Sequence, residues 1–395
     1  MRFPGFEGEW ERMKATDLLD FFSTNSLSWE QLEYGGTGLF NLHYGLIHNG
    51  LPTQIDLNDS SLPVIIAGNE PRKFTLCKKG DIAFADASED TNDVGKVVEF
   101  VDCAGKNVIC GLHTIHGRDK LDKTVPGFKG YAFSSKAFHD QIKRIAQGTK
   151  VFSISAGSFN EVCVGIPGKE EQKKIATLLS LIDQRISIQN KVIEDYKILK
   201  STLCERCYIT EGRESHNLGE LLQQVSSRNR GRHITNVLSV SNRYGFIEQK
   251  EQFEDRAVAS DDTSNYKIVE LNDFAYNPAR INVGSIARLK DWSKGIVSPM
   301  YICFRTTGSL IPEYLEHFFN TNRFQIELNK RLEGSVRQCL SYEGLCNISI
   351  PLPSLKEQEI IVDHIGSIVK KIEVENQILA LLQAQKSFLL QKLFI

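Results

Sequence analysis

The sequence predicts an α+β protein. Two α/β globes, mainly short strands with a few helices, are separated by two long antiparallel helices that form an intramolecular coiled coil. Three observations predict this. A stretch near the middle carries an unbroken heptad pattern, the same stretch recurs at the end of the chain, and the rest reads as short alternating strands punctuated by turns.

The first long helix opens at Ile166-Pro167, passes through Glu171-Gln172, and runs roughly forty residues from Lys169 without a Pro or Gly. Leu179, Ile186 and Ile193 stand seven apart, with Ile182, Gln189, Tyr196 and Leu203 interleaved. That spacing lays one apolar seam along a helix whose other side is charged. At a rise of 1.5 Å per residue the helix is about 60 Å long, longer than one domain needs. Shifting the numbering by 186 brings Pro167 onto Pro353, Glu171 onto Glu357 and Gln172 onto Gln358, and the match continues to Ile209 and Ile395. The second seam has Ile365, Ile372, Leu379 and Lys386 on one heptad position, and Ile368, Glu375, Leu382 and Leu389 on the other. Two such stripes in one chain are buried most simply against each other. Two unrelated surface helices would not keep register over so many positions.

At 395 residues the chain is expected to hold two or three domains. A net charge of −2 does not announce a polyanion partner, although a cleft can be basic on a balanced surface. No apolar run approaches about 18 residues and no signal-peptide pattern follows Met1, so a soluble, cytoplasmic chain is expected. Nine scattered cysteines fit reduced thiols in that compartment. Cys204-x-x-Cys207 has leucines at the matching positions of the second copy, which argues for small apolar slots. Cys110-x-x-His113-x-x-His116 offers ligand types, but no second ligand pair follows at zinc spacing, so no metal site is expected.

The elements then follow in order. Residues 1–163 form the first globe, 164–212 the first long helix, 213–349 the second globe and 350–395 the second long helix. A short helical pattern is expected around Leu18, Leu19, Phe21 and Phe22. Tyr34-Gly-Gly-Thr-Gly38 lacks the Lys-Ser/Thr and helix of a phosphate loop, so it reads as a β-turn before the alternating segment Leu39–Pro52. Strands are expected at Val64–Ile66, Ile82–Ala85, Val97–Val101 and Val108–Leu112, with a turn at Lys79-Gly80-Asp81. A helix is expected from Ser134 to Ala146, and a last strand leads into Ile166. The second globe is entered through the polar linker at 210–216. Phe133, Phe138, Gly148 and Ser155 stand 186 before Phe319, Phe324, Gly334 and Ser341, while the strands at Val108 and Ile296 each run on to an arginine, Arg118 and Arg305. Helices that keep a common sequence while globes diverge suggest two variable heads on one frame.

Several stretches carry a family resemblance. They are the helix openings IPGKEEQKKIATLLSLID and LPSLKEQEIIVDHIGSIV, the duplicated globe-helix order, KKGDIAFADASEDTNDVGK, and FAYNPARINVGSIARLKDWSKGIVSPMYICF. Over essentially its whole length the chain resembles the specificity (S) subunit of type I restriction-modification enzymes. The resemblance implies a non-catalytic DNA-binding subunit whose globes are target-recognition domains, each reading half of a split sequence. It implies double-stranded DNA, two methyltransferase (M) subunits and, in the full complex, restriction (R) subunits as partners. S-adenosylmethionine, ATP and magnesium are expected on those partners, with no cofactor on this chain. Antiparallel helices would turn the second globe half a turn from the first, as a dimer meets a palindrome. Heads roughly 35 to 50 Å apart would span about one helical turn of duplex or more.

Phosphates call for Lys and Arg, guanine edges for Arg, and adenine edges for Asn or Gln. In the first globe the candidates are Arg118, Lys120, Lys123, Lys129, Lys143 and Arg144. In the second they are Arg228, Asn229, Arg230 and Arg232 in one loop, then Arg243, Tyr244, Asn277, Arg280, Asn282, Arg288, Lys290 and Lys294. The helix seam is Leu179, Ile182, Ile186, Ile193, Tyr196 and Leu203 against Ile365, Ile368, Ile372, Leu379, Leu382 and Leu389.

An enzyme is the competing class. An adenine methyltransferase needs Asn/Asp-Pro-Pro-aromatic, but Asn277-Pro278 is followed by Ala279-Arg280. No glycine turn is placed for a methyl donor, and no Gly-x4-Gly-Lys-Ser/Thr is present. Asp86, Glu89, Asp90 and Asp93 fall in one loop and read as turn residues. No catalytic set emerges. A coiled-coil scaffold that binds proteins without DNA is the remaining alternative.

Overall fold

The computed structural model describes residues 2–209, 214–249, 262–334 and 338–394. It is a mixed α+β chain with two helices of exceptional length, Lys169–Cys207 and Leu355–Lys392. Two compact units divide it, residues 1–191 with 377–395, and residues 192–376. The division passes through both long helices. The start of the linker at 210–216 lies outside the described residues, and its end joins the strand Ser215–Asn217. No helix among the described residues is long and apolar enough to cross a membrane.

In the first unit a five-stranded sheet runs in the order Leu19–Phe22, Thr114–Asp119, Ile82–Ala85, Val97–Asp102 and Gln54–Asp56. Its central strand is buried on both faces. Ile82 and Phe84 join a core with Phe133, Phe138 and Leu179, while Ala83 and Ala85 join another with Phe100, Cys77 and Cys110. A second sheet orders Asn107–Cys110, Leu39–Leu42, Val64–Ile65 and Leu32–Glu33. Two expectations are corrected and a third is met. Leu19–Phe22 is a strand paired with Thr114–Asp119, and only the preceding turn Ala15–Leu18 is helical. The alternating segment after Tyr34 becomes strand Leu39–Leu42 and then helix Tyr44–His48. The helix expected from Ser134 to Ala146 is found at Lys136–Ile145, capped by the Ser135 hydroxyl accepting from Phe138 N, and a further helix, Phe128–Ser134, precedes it.

The second unit repeats the plan. A helical turn, Leu218–Leu221, again leads into an edge strand, Leu222–Val225, in a sheet with Ile302–Thr306, Phe274–Tyr276 and Ile286–Arg288. Its second sheet orders Gly245–Glu248, Val237–Ser241, Lys294–Val297 and Lys267–Glu270.

Two polar devices recur in both units and explain why their residues repeat. Gln172 is fully buried in the first turn of its long helix, where its amide accepts from Val125 N and donates to the carbonyls of Lys123 and Pro167. Gln358 does the same with Ile311 N, Ser309 O and Pro353 O. An amide that satisfies three buried backbone groups fixes where the helix leaves the globe. The second device is an Asp–Arg pair across adjacent strands. Arg118 Nε and Nη2 donate to Asp81 at 2.7 Å, and Arg305 Nη2 donates to Asp273 at 2.9 Å. Each aspartate also closes its own turn by accepting from a backbone N–H three residues earlier, Lys78 or Glu270.

Within each unit the long helices pair antiparallel. In the first, Leu179 and Ile182 lie buried with Leu382, and Lys386 reaches Asp183 at 2.7 Å, which also accepts from Tyr131 Oη at 2.9 Å. In the second, Leu203 and Cys204 share a core with Ile361, Ile365 and Val369. All twelve predicted seam residues are buried or half-buried, whereas Leu181, Ile188, Ile198 and Leu381 on the same helices are exposed.

Candidate nucleic-acid interface

Two adjoining turns build an open polar surface on the second unit. The hairpin turn 242–244 is closed by Ser241 Oγ, which accepts from the N–H groups of Arg243 and Tyr244, and by Gly245 at φ +72°. This turns Arg243 and Tyr244 outward, and Tyr244 is 71% exposed. Beside it runs the loop Asn277–Gly284. Ser285 Oγ donates to Val240 O at 3.1 Å, and a Cβ added at Gly284 would stand 3.7 Å from Asn242 Cβ. Arg243, Tyr244, Arg280 and Asn282 are therefore exposed on neighbouring turns, two cations with an aromatic and an amide. That set can hold phosphates and reach base edges.

The Arg228–Arg232 loop lies along the outer edge of the strand Lys267–Glu270, joined to it by the bridge Arg228–Lys267. Its arginines differ. Arg228 donates to Asn265 O, Arg232 is held at φ +53° and pairs with Asp262 at 3.0 Å, and Arg230 is exposed.

Three predicted contacts in this unit are corrected by burial, and two lysines are found in surface ion pairs. Asn229 is buried and braces its loop, accepting from Ile234 N and donating to Ile234 O. Asn277 is buried and accepts from Ala279 N. Arg288 is bonded to Glu313, Glu316 and Asn272, with its side chain only 10% exposed. Lys290 and Lys294 are paired with Glu316 and Glu270. Arg288 spends its charge inside the protein, whereas Lys290 and Lys294 stay 49% and 46% exposed.

The first unit departs further from expectation. Lys129 is buried between Thr124 Oγ1 at 2.8 Å and Glu99 at 3.5 Å, out of reach of any DNA. Burial pushes the Glu99 carboxyl up, against Lys129 and the N–H groups of Gly130 and Gly127. Arg118 is the structural partner of Asp81. Burial would raise that carboxyl, but the hydrogen bonds from Arg118 and His116 outweigh it and hold the pKa below the usual range. Lys120 donates to Thr16 O, Lys123 pairs with Glu11, and Lys143 donates to Asn92 Oδ1. Arg144 alone of this set is exposed with no partner among the described residues.

What the sequence reading missed in this unit is aromatic. Trp29, Tyr34 and Phe74 are all exposed, and Arg72 and Lys73 flank Phe74 on an open loop. Trp29 packs on His43, whose ring stacks on Tyr44, which in turn meets His113. Burial, then the nearby His113, lowers the His43 pKa. The clue available was Pro71-Arg72-Lys73-Phe74, a basic and aromatic run in a turn.

Residues 216–384 match the family described as the type I restriction modification DNA specificity domain. A curated relative, the type I restriction enzyme MjaVIII specificity subunit of Methanocaldococcus jannaschii, is 25% identical over 281 residues. That match takes in 62% of this chain and 64% of the relative's length. Among solved structures, the type I restriction-modification S subunit from M. genitalium superposes with a TM-score of 0.57 at 17% identity, covering 100% of this chain and 99% of that one. A chain from a structure of type I R-M complex assembly and conformational transition gives 0.60 at 15% identity, over 97% of both chains. At these identities the structural likeness establishes the fold.

Proposed function

We propose that this chain, whose residues 216–384 belong to the type I restriction modification DNA specificity domain family, is the DNA-recognition subunit of a type I restriction-modification complex. It is non-catalytic. Each globe reads one half of a bipartite target, and the long helices set the unread spacer.

One observation carries this reading: the frame is duplicated while the exposed turns are not. The glutamine clamps and Asp–Arg pairs occur once per unit, with nearly the same partners. The outward residues differ, Arg243, Tyr244, Arg280 and Asn282 in one unit against Trp29, Tyr34, Arg72 and Phe74 in the other. Two unlike half-sites read from one frame require that combination. Double-stranded DNA is thus the ligand, held by local cations despite the chain's net charge of −2.

The partners are two methyltransferase subunits, joined in the full complex by restriction subunits. S-adenosylmethionine, ATP and magnesium belong to those chains. In the first unit, an exposed face of the helix pair offers a surface for them. Leu178, Leu181, Arg185 and Ile188 line a groove of about 380 Å³ with Gln385 of the second helix. Ile378, Leu381 and Phe388 continue the exposed apolar stripe on that helix at heptad spacing.

The test is to co-produce the chain with its methyltransferase subunit and map methylated positions by sequencing the host DNA. A split motif with a fixed gap is expected, and it should vanish when this chain is omitted. Methylation at a continuous motif, or methylation that persists without the chain, would overturn the reading.

A further inference from the structure

Cys77, Cys110 and His116 come from three separate segments and converge in the core of the first unit. All three are nearly fully buried, and their ligand atoms lie within 4.8 Å of one another. The Cys77 and Cys110 sulfurs are 3.5 Å apart. Two thiolates on one tetrahedral zinc, each about 2.3 Å from it, would stand roughly 3.8 Å apart, so little movement is needed. His116 Nε2 is held by Asp81 Oδ2 at 2.8 Å, and Asp81 is anchored by Arg118. A carboxylate that orients the imidazole is the usual support of a metal-bound histidine. A third thiol, Cys103, sits on the adjoining turn with its Sγ 3.7 Å from Cys77 O, outside the cluster of three.

The second unit supplies the comparison. Cys77 stands four residues before the turn-closing Asp81, and Val269 stands four before Asp273. Cys110 ends the strand Asn107–Cys110 as Val297 ends Lys294–Val297. His116 pairs with Ala83, and Cys303 pairs with Ala275. Val269, Val297 and Cys303 are neighbours in one apolar cluster. The same three converging positions thus hold ordinary core residues in one unit and three metal-ligand types in the other. The scaffold places the side chains without a metal, and the first unit fills all three positions with soft or borderline donors.

We propose that Cys77, Cys110 and His116 form a structural zinc site in the first unit, which ties the segment before Ile82 to the strands Asn107–Cys110 and Thr114–Asp119. On binding, the two thiols lose their protons to solvent and become thiolates, while the imidazole binds neutral. The sequence pattern Cys110-x-x-His113-x-x-His116 pointed at this place but at one wrong residue. His113 is turned out at φ +53° to Asp86, and the missing ligand lies 33 residues upstream of Cys110.

The test measures zinc in the full-length chain, purified without chelator from zinc-supplemented cells, by elemental mass spectrometry. About one zinc per chain is expected, with thiolate-to-metal charge-transfer absorption when cobalt replaces it. The control is the triple variant Cys77→Val, Cys110→Val, His116→Cys, which imports the second unit's own core residues and should fold while holding no zinc. Should the native chain carry less than about a tenth of an equivalent, or the folded triple variant keep its zinc, the site does not exist. A native mass two hydrogens light, mapped to a Cys77–Cys110 disulfide, would overturn it as well.

Discussion

Arg280 and Arg288 stand eight positions apart and have opposite prospects as DNA contacts. Arg280 projects from an open loop, whereas Arg288 is gripped by two glutamates and an asparagine. A guanidinium already neutralised cannot release counterions from a phosphate. In the assembled complex, Arg280→Ala and Arg243→Ala should each weaken DNA binding. With one phosphate fewer neutralised, the plot of log K against log salt should flatten by about 0.9. Arg288→Ala should leave that slope alone and lower the melting temperature; fluorescence anisotropy across a salt series with a parallel melt distinguishes the two. A different residue sets the acid response. Burial lowers the pKa of His317 to about 4. Above the ordinary histidine value both folded and unfolded chains hold it neutral. As pH falls towards 4 the unfolded chain takes up a proton that the folded chain refuses, so stability declines over that window and then levels. The loss attributable to this group is roughly 2–3 kcal/mol, and His317→Asn should remove it, read as the urea midpoint at pH 7.5 against 4.5. These distinctions were illegible in the sequence. A lysine or arginine there is only a charge, and Glu313, Glu316 and Asp81 reach their cations through tertiary contacts that no spacing encodes.

At the scale of elements, legibility followed length. The long helices were readable because seven-residue spacing repeats many times, and the residues at those positions are buried or half-buried. Leu18–Phe22 was misread because a one-turn helix followed by a four-residue strand gives too few positions to separate a period of 3.6 from a period of 2. The segment after Tyr34 failed likewise. The turn at Lys79-Gly80-Asp81 was readable because Gly80 sits at φ +86°, a conformation glycine adopts without a steric penalty. The two faces of the first long helix make a prediction of their own. Leu179 is fully buried in the first unit's core, whereas Leu181 is 52% exposed. Leu179→Ala should cost about 2–5 kcal/mol of stability, a cavity effect. Leu181→Asp should leave the isolated chain's melting unchanged and impair co-purification with the methyltransferase subunit. If both variants melted alike and bound alike, the assignment of faces would be wrong.

For the whole molecule, the proposed reading makes helix length the determinant of the gap between half-sites. The pairing within each unit fixes how to alter it cleanly. Asp183 meets Lys386 in the first unit, and the seam runs antiparallel from there. Removing residues 186–192 from one helix therefore calls for removing 377–383 from the other. One heptad lost from each keeps every apolar position facing the seam, because seven residues are close to two turns. The glutamine clamps at Gln172 and Gln358 lie outside both deletions, so each helix still leaves its globe in the same direction. Each shortened helix loses about 10 Å, or roughly three base pairs of B-form duplex at 3.4 Å per step. The double deletion should consequently methylate a motif with both half-sites unchanged and a spacer about three base pairs shorter. Removing two residues from each helix instead, about half a turn, would rotate the seam out of phase and should abolish assembly. A shortened chain that folds, methylates and still prefers the original spacer would show that something other than the helices measures the gap.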